Sequence, residues 1–150
     1  MKKISGMVDI TQKRITNRVA RAVADVILSK KAFEALMSDS APKGNVFEVA
    51  RIAGIMSAKN VHNLIPHCHQ LTINKASIDF RVDKEKRILN IFSEVICDGK
   101  TGVEMEALTS VGIAALTVYD MLKSFDKGTI ISGIKLIYKE GGKSGVYKRK

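Results

Sequence analysis

The chain has 150 residues, enough for one domain with a substantial core, and its 45% hydrophobic and 27% charged residues are typical of a soluble globular protein. The formal net charge of +10 favours an anionic partner, such as a nucleotide, a phosphate ester, a nucleic acid or an acidic membrane. Two cysteines exclude a disulfide scaffold, and MKKISGMVDITQK lacks the apolar run of a signal peptide, so we expect a cytoplasmic protein with reduced thiols.

The first half of the chain predicts one strand followed by two helices. Apolar and charged residues alternate over 18–29, RVARAVADVILS, which indicates a strand with one apolar side. A short helix is expected over 30–37, and the Pro-Lys-Gly sequence after it acts as a helix breaker. Asn45 followed by Glu48 has the spacing of a helix N-terminus, so a second helix should begin there and run to about residue 63.

A β-hairpin is predicted after these helices. Apolar residues alternate with polar ones over 71–82 and again over 87–97. The charged sequence DKEK between the two segments should form the turn, so the segments are expected to pair as antiparallel neighbours.

The longest apolar pattern lies in 98–123, DGKTGVEMEALTSVGIAALTVYDMLK. Thr101 and Glu104 have the spacing of a capping box, so we expect a helix that begins near Gly102. Glu106 and Asp120 should share the face that points away from the core, about 21 Å apart along the helix axis. An apolar stripe with helical spacing should face the core, and it comprises Leu108, Val111, Ala115, Val118 and Leu122.

The outer face of this helix predicts a subunit interface. Lys123 is expected to pair with Asp120 one turn away, but no charged residue lies between Glu106 and Tyr119, so another protein surface should cover that face in a homo-oligomer. If Glu106 and Asp120 serve one small substrate, they must come from different subunits packed about a two-fold axis. The alternative is a solvent-exposed Asp120–Lys123 pair and N-terminal acids that suit the helix dipole.

A last strand over 130–138 completes the order strand, helices, strand, strand, helix, strand. This order predicts an α+β fold of the ferredoxin-like type, with helices on one face of an antiparallel four-stranded sheet. We expect residues 16–140 to form this single domain, between flexible segments at 1–15 and 141–150.

Two basic positions are candidates for anion binding. Lys43 precedes a helix N-terminus, where free amides favour an anion, although such a lysine is often simply solvated. Lys143 lies in a glycine-rich sequence that lacks the spacing and following helix of a phosphate loop. That sequence is either a mobile flap that closes over an anion or a frayed basic tail.

All three histidines of the chain lie within residues 62–69. His67, Cys68 and His69 suit hydrogen bonding to a base or phosphate, or acid–base work, better than they suit zinc. A zinc site needs three or four converging ligands, and no second cluster in the sequence supplies the missing ones.

Several long segments, which together cover nearly the whole chain, carry a family resemblance: MVDIT, KGNVFEVARIAGIMSAK, LIPHCHQL, GKTGVEMEALTSVGIAALTVYDMLK and KEGGKSG. They resemble the cyclic pyranopterin monophosphate synthases of molybdenum cofactor biosynthesis. The resemblance implies a phosphorus–oxygen lyase that converts 3′,8-cyclo-7,8-dihydro-GTP into cyclic pyranopterin monophosphate and releases pyrophosphate. It also implies a homohexamer, a trimer of dimers, with sites between subunits and without a metal or other cofactor.

Position by position, the resemblance implies that Asp120 and Lys123 are catalytic. The substrate-binding residues that it implies are His67, Cys68, His69, Met105, Glu106, Lys43, Arg18 and Lys143. Opening the purine ring requires several proton transfers, which Asp120 and Lys123 could perform, and the basic residues can hold the triphosphate.

Three residues depart from the family pattern, namely His67 in place of Leu, Gln70 in place of Pro and Asn45 in place of Asp. We expect them to change affinity and loop geometry rather than the class of reaction. The main alternative function is a non-catalytic nucleotide- or RNA-binding ferredoxin-like module, which the positive charge would suit. Tryptophan is absent and aromatic residues are only 5%, which disfavours base stacking on the sheet, so we do not expect a nucleic acid as partner. A membrane is not expected as partner either.

Overall fold

The computed structural model describes residues 5–150. Part of the N-terminal segment that is predicted to be flexible, residues 1–4, lies outside the described residues, and the flexibility of 5–15 and 141–150 stays a prediction. The elements are β1 (Thr16–Ile27), α1 (Lys30–Met37), α2 (Val46–Ala58), α3 (Val61–Leu64), β2 (Lys75–Asp83), β3 (Ile88–Gly99), α4 (Glu104–Leu122), β4 (Ile130–Glu140) and β5 (Tyr147–Lys148).

All the strands belong to one antiparallel sheet in the order β2-β3-β1-β4-β5. The first four strands and the helices packed on them confirm the predicted ferredoxin-like α+β fold. The sheet has five strands rather than four, because Tyr147 and Lys148 pair with Lys139 and Tyr138 at the edge of β4. A two-residue strand is too short to show an alternating pattern in the sequence.

β1 lies in the middle of the sheet, and its small side chains face the helices. Ala20, Ala22 and Ala24 are completely buried. Ala22 pairs with Ser93 of β3, whose hydroxyl donates a hydrogen bond to the Ala107 carbonyl of α4 at 2.8 Å. Because alanine has a short side chain, α4 can lie close to the sheet, and its position is fixed there.

α2 and α4 pack against each other, and a glycine permits the close contact. The Ser110 hydroxyl of α4 donates to the Gly54 carbonyl of α2 at 2.9 Å. A Cβ atom on Gly54 would lie 3.0 Å from the Ser110 carbonyl oxygen, closer than side chains normally approach. The start of α2 lies near the end of α4, so Lys43 is brought beside Asp120.

Three of the predicted helix boundaries are confirmed and one is wrong. α1 has the predicted bounds, and the Asn45 side chain accepts a hydrogen bond from the Glu48 amide at 2.9 Å at the start of α2. The second helix does not continue to about residue 63, because a turn at 59–60 separates α2 from α3.

The capping box predicted for α4 is also wrong. Val103 occupies the N-cap, and no side chain caps the helix there. The Glu104 carboxylate instead forms an ion pair with Lys139 Nζ at 3.0 Å, which draws it toward β4 and away from the helix amides.

The apolar stripe of α4 faces the core as predicted, since Val111, Ala115, Val118 and Leu122 are completely buried. By length and composition α4 would pass for a membrane span, yet half of it is buried inside this fold, as in a core helix. The predicted position of Glu106 on an outer face is wrong, because Glu106 is only 4% exposed. Residues of the segment before β2 lie on that side of the first turn of α4, which the helical pattern alone does not reveal.

Candidate active site

A cavity of about 240 Å³ lies beside the first turn of α4. The segment between α3 and β2, the start of α4 and the N-terminal segment contribute its walls. Five predicted site residues line it, and we call them the cavity group: His67, Cys68, His69, Met105 and Glu106. The structure therefore brings together two segments that are more than thirty positions apart in the sequence.

A turn after α3 directs His67, Cys68 and His69 toward α4. The Cys68 amide donates to the Ile65 carbonyl at 3.1 Å, and the chain enters β2 through a hydrogen bond from Asn74 to Ile96. Within this turn His67 is exposed, whereas Cys68 and His69 are half-buried. Burial, and then the nearby Glu106 carboxylate, raises the pKa of the Cys68 thiol, so the thiol stays protonated at neutral pH.

Glu106 occupies the most buried position in the cavity group. Burial raises the pKa of its carboxyl to about 7, and the charge of Glu104 adds to this effect, while the backbone N–H of Glu106 opposes it. No ion pair of the described residues, 5–150, includes Glu106. Its uncharged form is therefore well populated near neutral pH.

Three charged residues form a second cluster at the other end of α4, which we call the lysine group: Lys43, Asp120 and Lys123. Lys43 Nζ lies 2.6 Å from one carboxylate oxygen of Asp120, and Lys123 Nζ lies 2.8 Å from the other. The ion pair predicted between Asp120 and Lys123 is present, and Lys43 joins it from the segment before α2. All three side chains are about half exposed.

The hydrogen bonds within the lysine group fix its charges. The bond from Lys123, and then that from Lys43, lowers the pKa of Asp120 to about 2. The same contact with Asp120 raises the pKa of Lys123. The group therefore holds one carboxylate and two ammonium groups at neutral pH, and its net positive charge suits an anionic ligand.

The cavity group and the lysine group are separate within one chain. No member of the lysine group lines the cavity. Glu106 and Asp120 are fourteen positions apart on α4, which corresponds to about 21 Å at 1.5 Å per residue.

Arg18 and Lys143, the two other predicted substrate-binding residues, lie outside the cavity. Arg18 is only 8% exposed, and its Nε donates to the Gly99 carbonyl at 3.3 Å. Gly142 packs directly on the Arg18 guanidinium, which leaves no space for a Cβ atom. Lys143, next in the chain, is exposed.

Lys139 is a neighbour of the cavity that the sequence reasoning missed. Its side chain is only 16% exposed, and its Nζ lies 3.0 Å from Glu104 Oε1 and 2.6 Å from Ser144 Oγ. It therefore joins a cavity wall to the C-terminal glycine-rich segment. A lysine side chain is usually exposed to solvent, so the sequence pattern offered no signal for this role.

Within residues 5–150, no three His, Cys, Asp or Glu side chains converge in a way that could hold a metal ion. The expectation that the site works without a metal or other cofactor stays a prediction.

Comparison with known proteins gives a consistent result. Residues 7–142 match the model of the MoaC family. The chain is similar to the cyclic pyranopterin monophosphate synthase of Campylobacter lari, with 50% identity over 95% of this chain and 91% of that protein. It is likewise similar to two other proteins of the same name. The protein from Chloroflexus aggregans is 49% identical over 95% of this chain and 87% of that protein, and the protein from Clostridium perfringens is 50% identical over 94% of this chain and 89% of that protein.

Proposed function

The chain belongs to the MoaC family, and from this premise we infer that it is a cyclic pyranopterin monophosphate synthase, a lyase of molybdenum cofactor biosynthesis. It converts 3′,8-cyclo-7,8-dihydro-GTP into cyclic pyranopterin monophosphate and releases pyrophosphate. The observation that carries this function is the identity of 49–50%, over almost the entire chain, to proteins of that name.

Each active site combines the cavity group of one subunit with the lysine group of its neighbour. Two features support this arrangement. About 21 Å of helix separates the two groups in one chain, too far for one small substrate to react with both. The cavity, of about 240 Å³, is also smaller than the 300–1,000 Å³ typical of small-molecule sites, as expected for half of a shared site.

The outer face of α4 supplies the contact between these two subunits. Leu116 is 56% exposed on that face, and Ile113 is partly exposed three residues earlier. Antiparallel packing of this face about a two-fold axis brings Glu106 of one subunit toward Asp120 of the other. Three such dimers form the homohexamer.

The lysine group binds the triphosphate and assists the chemistry. Lys43 and Lys123 are drawn from Asp120 to the phosphate oxygens, where their charge stabilises the departing pyrophosphate. Asp120 then loses the two hydrogen bonds that keep its pKa low, and it becomes a better proton acceptor. Lys123 remains close enough to donate a proton.

The cavity group holds the purine-derived ring between imidazole, thiol and thioether side chains. His67 and Gln70 alter this loop relative to the family pattern, whereas Asn45 caps α2 and donates a hydrogen bond to Asp39. Arg18 and Lys143 contact the triphosphate after the segment around Gly142 moves away from the Arg18 guanidinium.

The alternative of an RNA-binding module is less well supported. On the open face of the sheet, Arg81 stacks on the Phe92 ring and Arg21 on the Tyr138 ring. These rings are therefore not free to stack on bases. The protein acts in the cytoplasm on a small molecule, without nucleic acid or membrane. A filter-binding assay with RNA at physiological salt distinguishes the synthase from the RNA-binding module.

Variants of the lysine group test the proposed reaction. Asp120→Asn and Lys123→Ala should abolish formation of product and pyrophosphate from the cyclised nucleotide, since each removes a charge that the reaction needs. Lys127→Ala, which removes an exposed lysine just after α4, is the matched control and should retain turnover. Light scattering should give the same particle mass for all variants. Turnover near that of the wild type in Asp120→Asn or Lys123→Ala would contradict the assigned roles.

A further inference from the structure

Glu106 combines burial with access to the cavity. It lies in the first turn of α4, is 4% exposed, and lines the same cavity as His67, Cys68 and His69. A carboxyl group at this position is shielded from bulk water but open to a molecule that fills the cavity.

Among residues 5–150, no cation forms an ion pair with Glu106. The thiols of Cys68 and of Cys97 on β3 face it, and burial raises the pKa of Cys97 to about 11, so that thiol is uncharged. Glu104, on the same helix, is already paired with Lys139.

The remaining titratable groups around the cavity are Lys13, His67 and His69. They line its other walls and form no ion pair with Glu106 in the described residues. The position of Glu106 therefore favours the protonated carboxyl.

The helix N-terminus opposes this preference but does not reverse it. Amides of the first turn and the helix dipole favour the carboxylate. Burial outweighs them, because the pKa of Glu106 still rises to about 7. Asp120, at the other end of α4, is held as a carboxylate by its two lysines. The two carboxyl groups of a shared site thus begin the reaction in opposite protonation states, a common arrangement for an acid and a base.

We propose that Glu106 is the proton donor for opening of the substrate ring, a role that rests on the proposed function and goes beyond binding. C8 of a 7,8-dihydropurine is saturated and carries both N7 and N9. As the C8–N9 bond breaks, its electron pair goes to N9, and N9 takes the proton from the Glu106 carboxyl. The lone pair of N7 forms a C=N bond to C8, which leaves a cationic iminium beside the newly formed Glu106 carboxylate.

This step suits the cavity, because the iminium cation and the carboxylate form together and each stabilises the charge of the other. Solvent returns a proton to Glu106 after product leaves. The thiols are too weakly acidic for the transfer, and His67 is exposed rather than enclosed.

Kinetics of two substitutions test the role. Glu106→Gln keeps the size and hydrogen-bonding capacity but has no acidic proton, so kcat should fall by at least about 100-fold while KM changes only a few-fold. Glu106→Asp keeps the acid and should retain more turnover than Glu106→Gln. The wild-type kcat should fall as pH rises above neutral, because the Glu106 carboxyl then loses its proton. The residual kcat of Glu106→Gln should not show this fall.

A measurement on the free protein separates this proposal from the proposed function. Carbon-13 NMR of glutamate carboxyls, with Glu106→Gln used for assignment, should find the Glu106 proton lost near pH 7. The proton-donor role would be overturned if the Glu106 carboxyl loses its proton below pH 5, or if the kcat of Glu106→Gln is within threefold of the wild-type value. A wild-type protein that forms no product would overturn the proposed function and this step with it, whatever the titration finds.

Discussion

Asp120 and Glu106 are carboxyl groups on one helix whose surroundings move their pKa values in opposite directions. Two lysines lower the pKa of Asp120 to about 2, and burial without a cation raises that of Glu106 to about 7. The sequence allowed the lowered pKa of Asp120 to be anticipated, since Lys123 lies three positions from Asp120 on a helix. It did not reveal Lys43 as the second partner, because that contact joins residues 77 positions apart.

The burial of Glu106 could not be predicted either, because it also depends on residues that are distant in the sequence. Helical spacing relates Glu106 to the apolar stripe, and by that measure it points away from the sheet. What covers it is an irregular segment with no periodic pattern, residues 67–69 and 71. Burial by a loop is a tertiary effect, and only the resemblance to known proteins indicated that His69 and Glu106 share a site.

The raised pKa of Glu106 predicts a pH-dependent stability. Between the ordinary value of 4.5 and about 7, the folded protein binds a proton that the unfolded chain releases. The free energy of unfolding should therefore fall as pH rises through this window, by up to about 3 kcal/mol. Glu106→Gln removes this dependence, and urea unfolding at pH 4.5 and pH 8, at fixed protein concentration, measures the difference between the two proteins. Parallel pH profiles would contradict the assignment.

At the scale of elements, the segment after β4 contacts both β4 and the start of β1. Gly141 and Gly142 both adopt positive φ and lie against the start of β1. The two-residue strand β5 pairs with β4, and Lys139 bonds to Ser144. The sequence predicted either a mobile flap or a frayed basic tail here, because these contacts are not periodic and depend on the start of β1.

Gly141→Ala should destabilise the protein more than Gly145→Ala. Both glycines have positive φ, so both variants carry backbone strain, but only a Cβ on Gly141 meets the Asn17 carbonyl oxygen of β1. A Cβ on Gly145 would meet no described atom within 4 Å outside its two chain neighbours, which makes Gly145→Ala the matched control. We expect an additional loss of about 2 kcal/mol in the free energy of unfolding for Gly141→Ala, measured by urea denaturation. Equal losses would mean that the segment does not pack on β1 in solution.

At the scale of the whole molecule, the order of elements was sufficient to predict the ferredoxin-like sheet. Strands separated by helices of the right length leave few topologies, and the observed strand order is the expected one apart from β5. The cavity group and the lysine group lie apart within one chain, and the proposed shared site combines them so that an acid, a base and cations for the triphosphate come together.

The most direct test of a shared active site mixes two inactive variants. Glu106→Ala damages the cavity group, and Asp120→Asn damages the lysine group. If each site takes these groups from different subunits, random exchange leaves about a quarter of the sites intact, because both contributors must be undamaged by chance. Product formation should therefore rise from near zero to about a quarter of the wild-type rate, once native mass spectrometry confirms exchange. Mixed oligomers that stay inactive after complete exchange would contradict a site built between subunits.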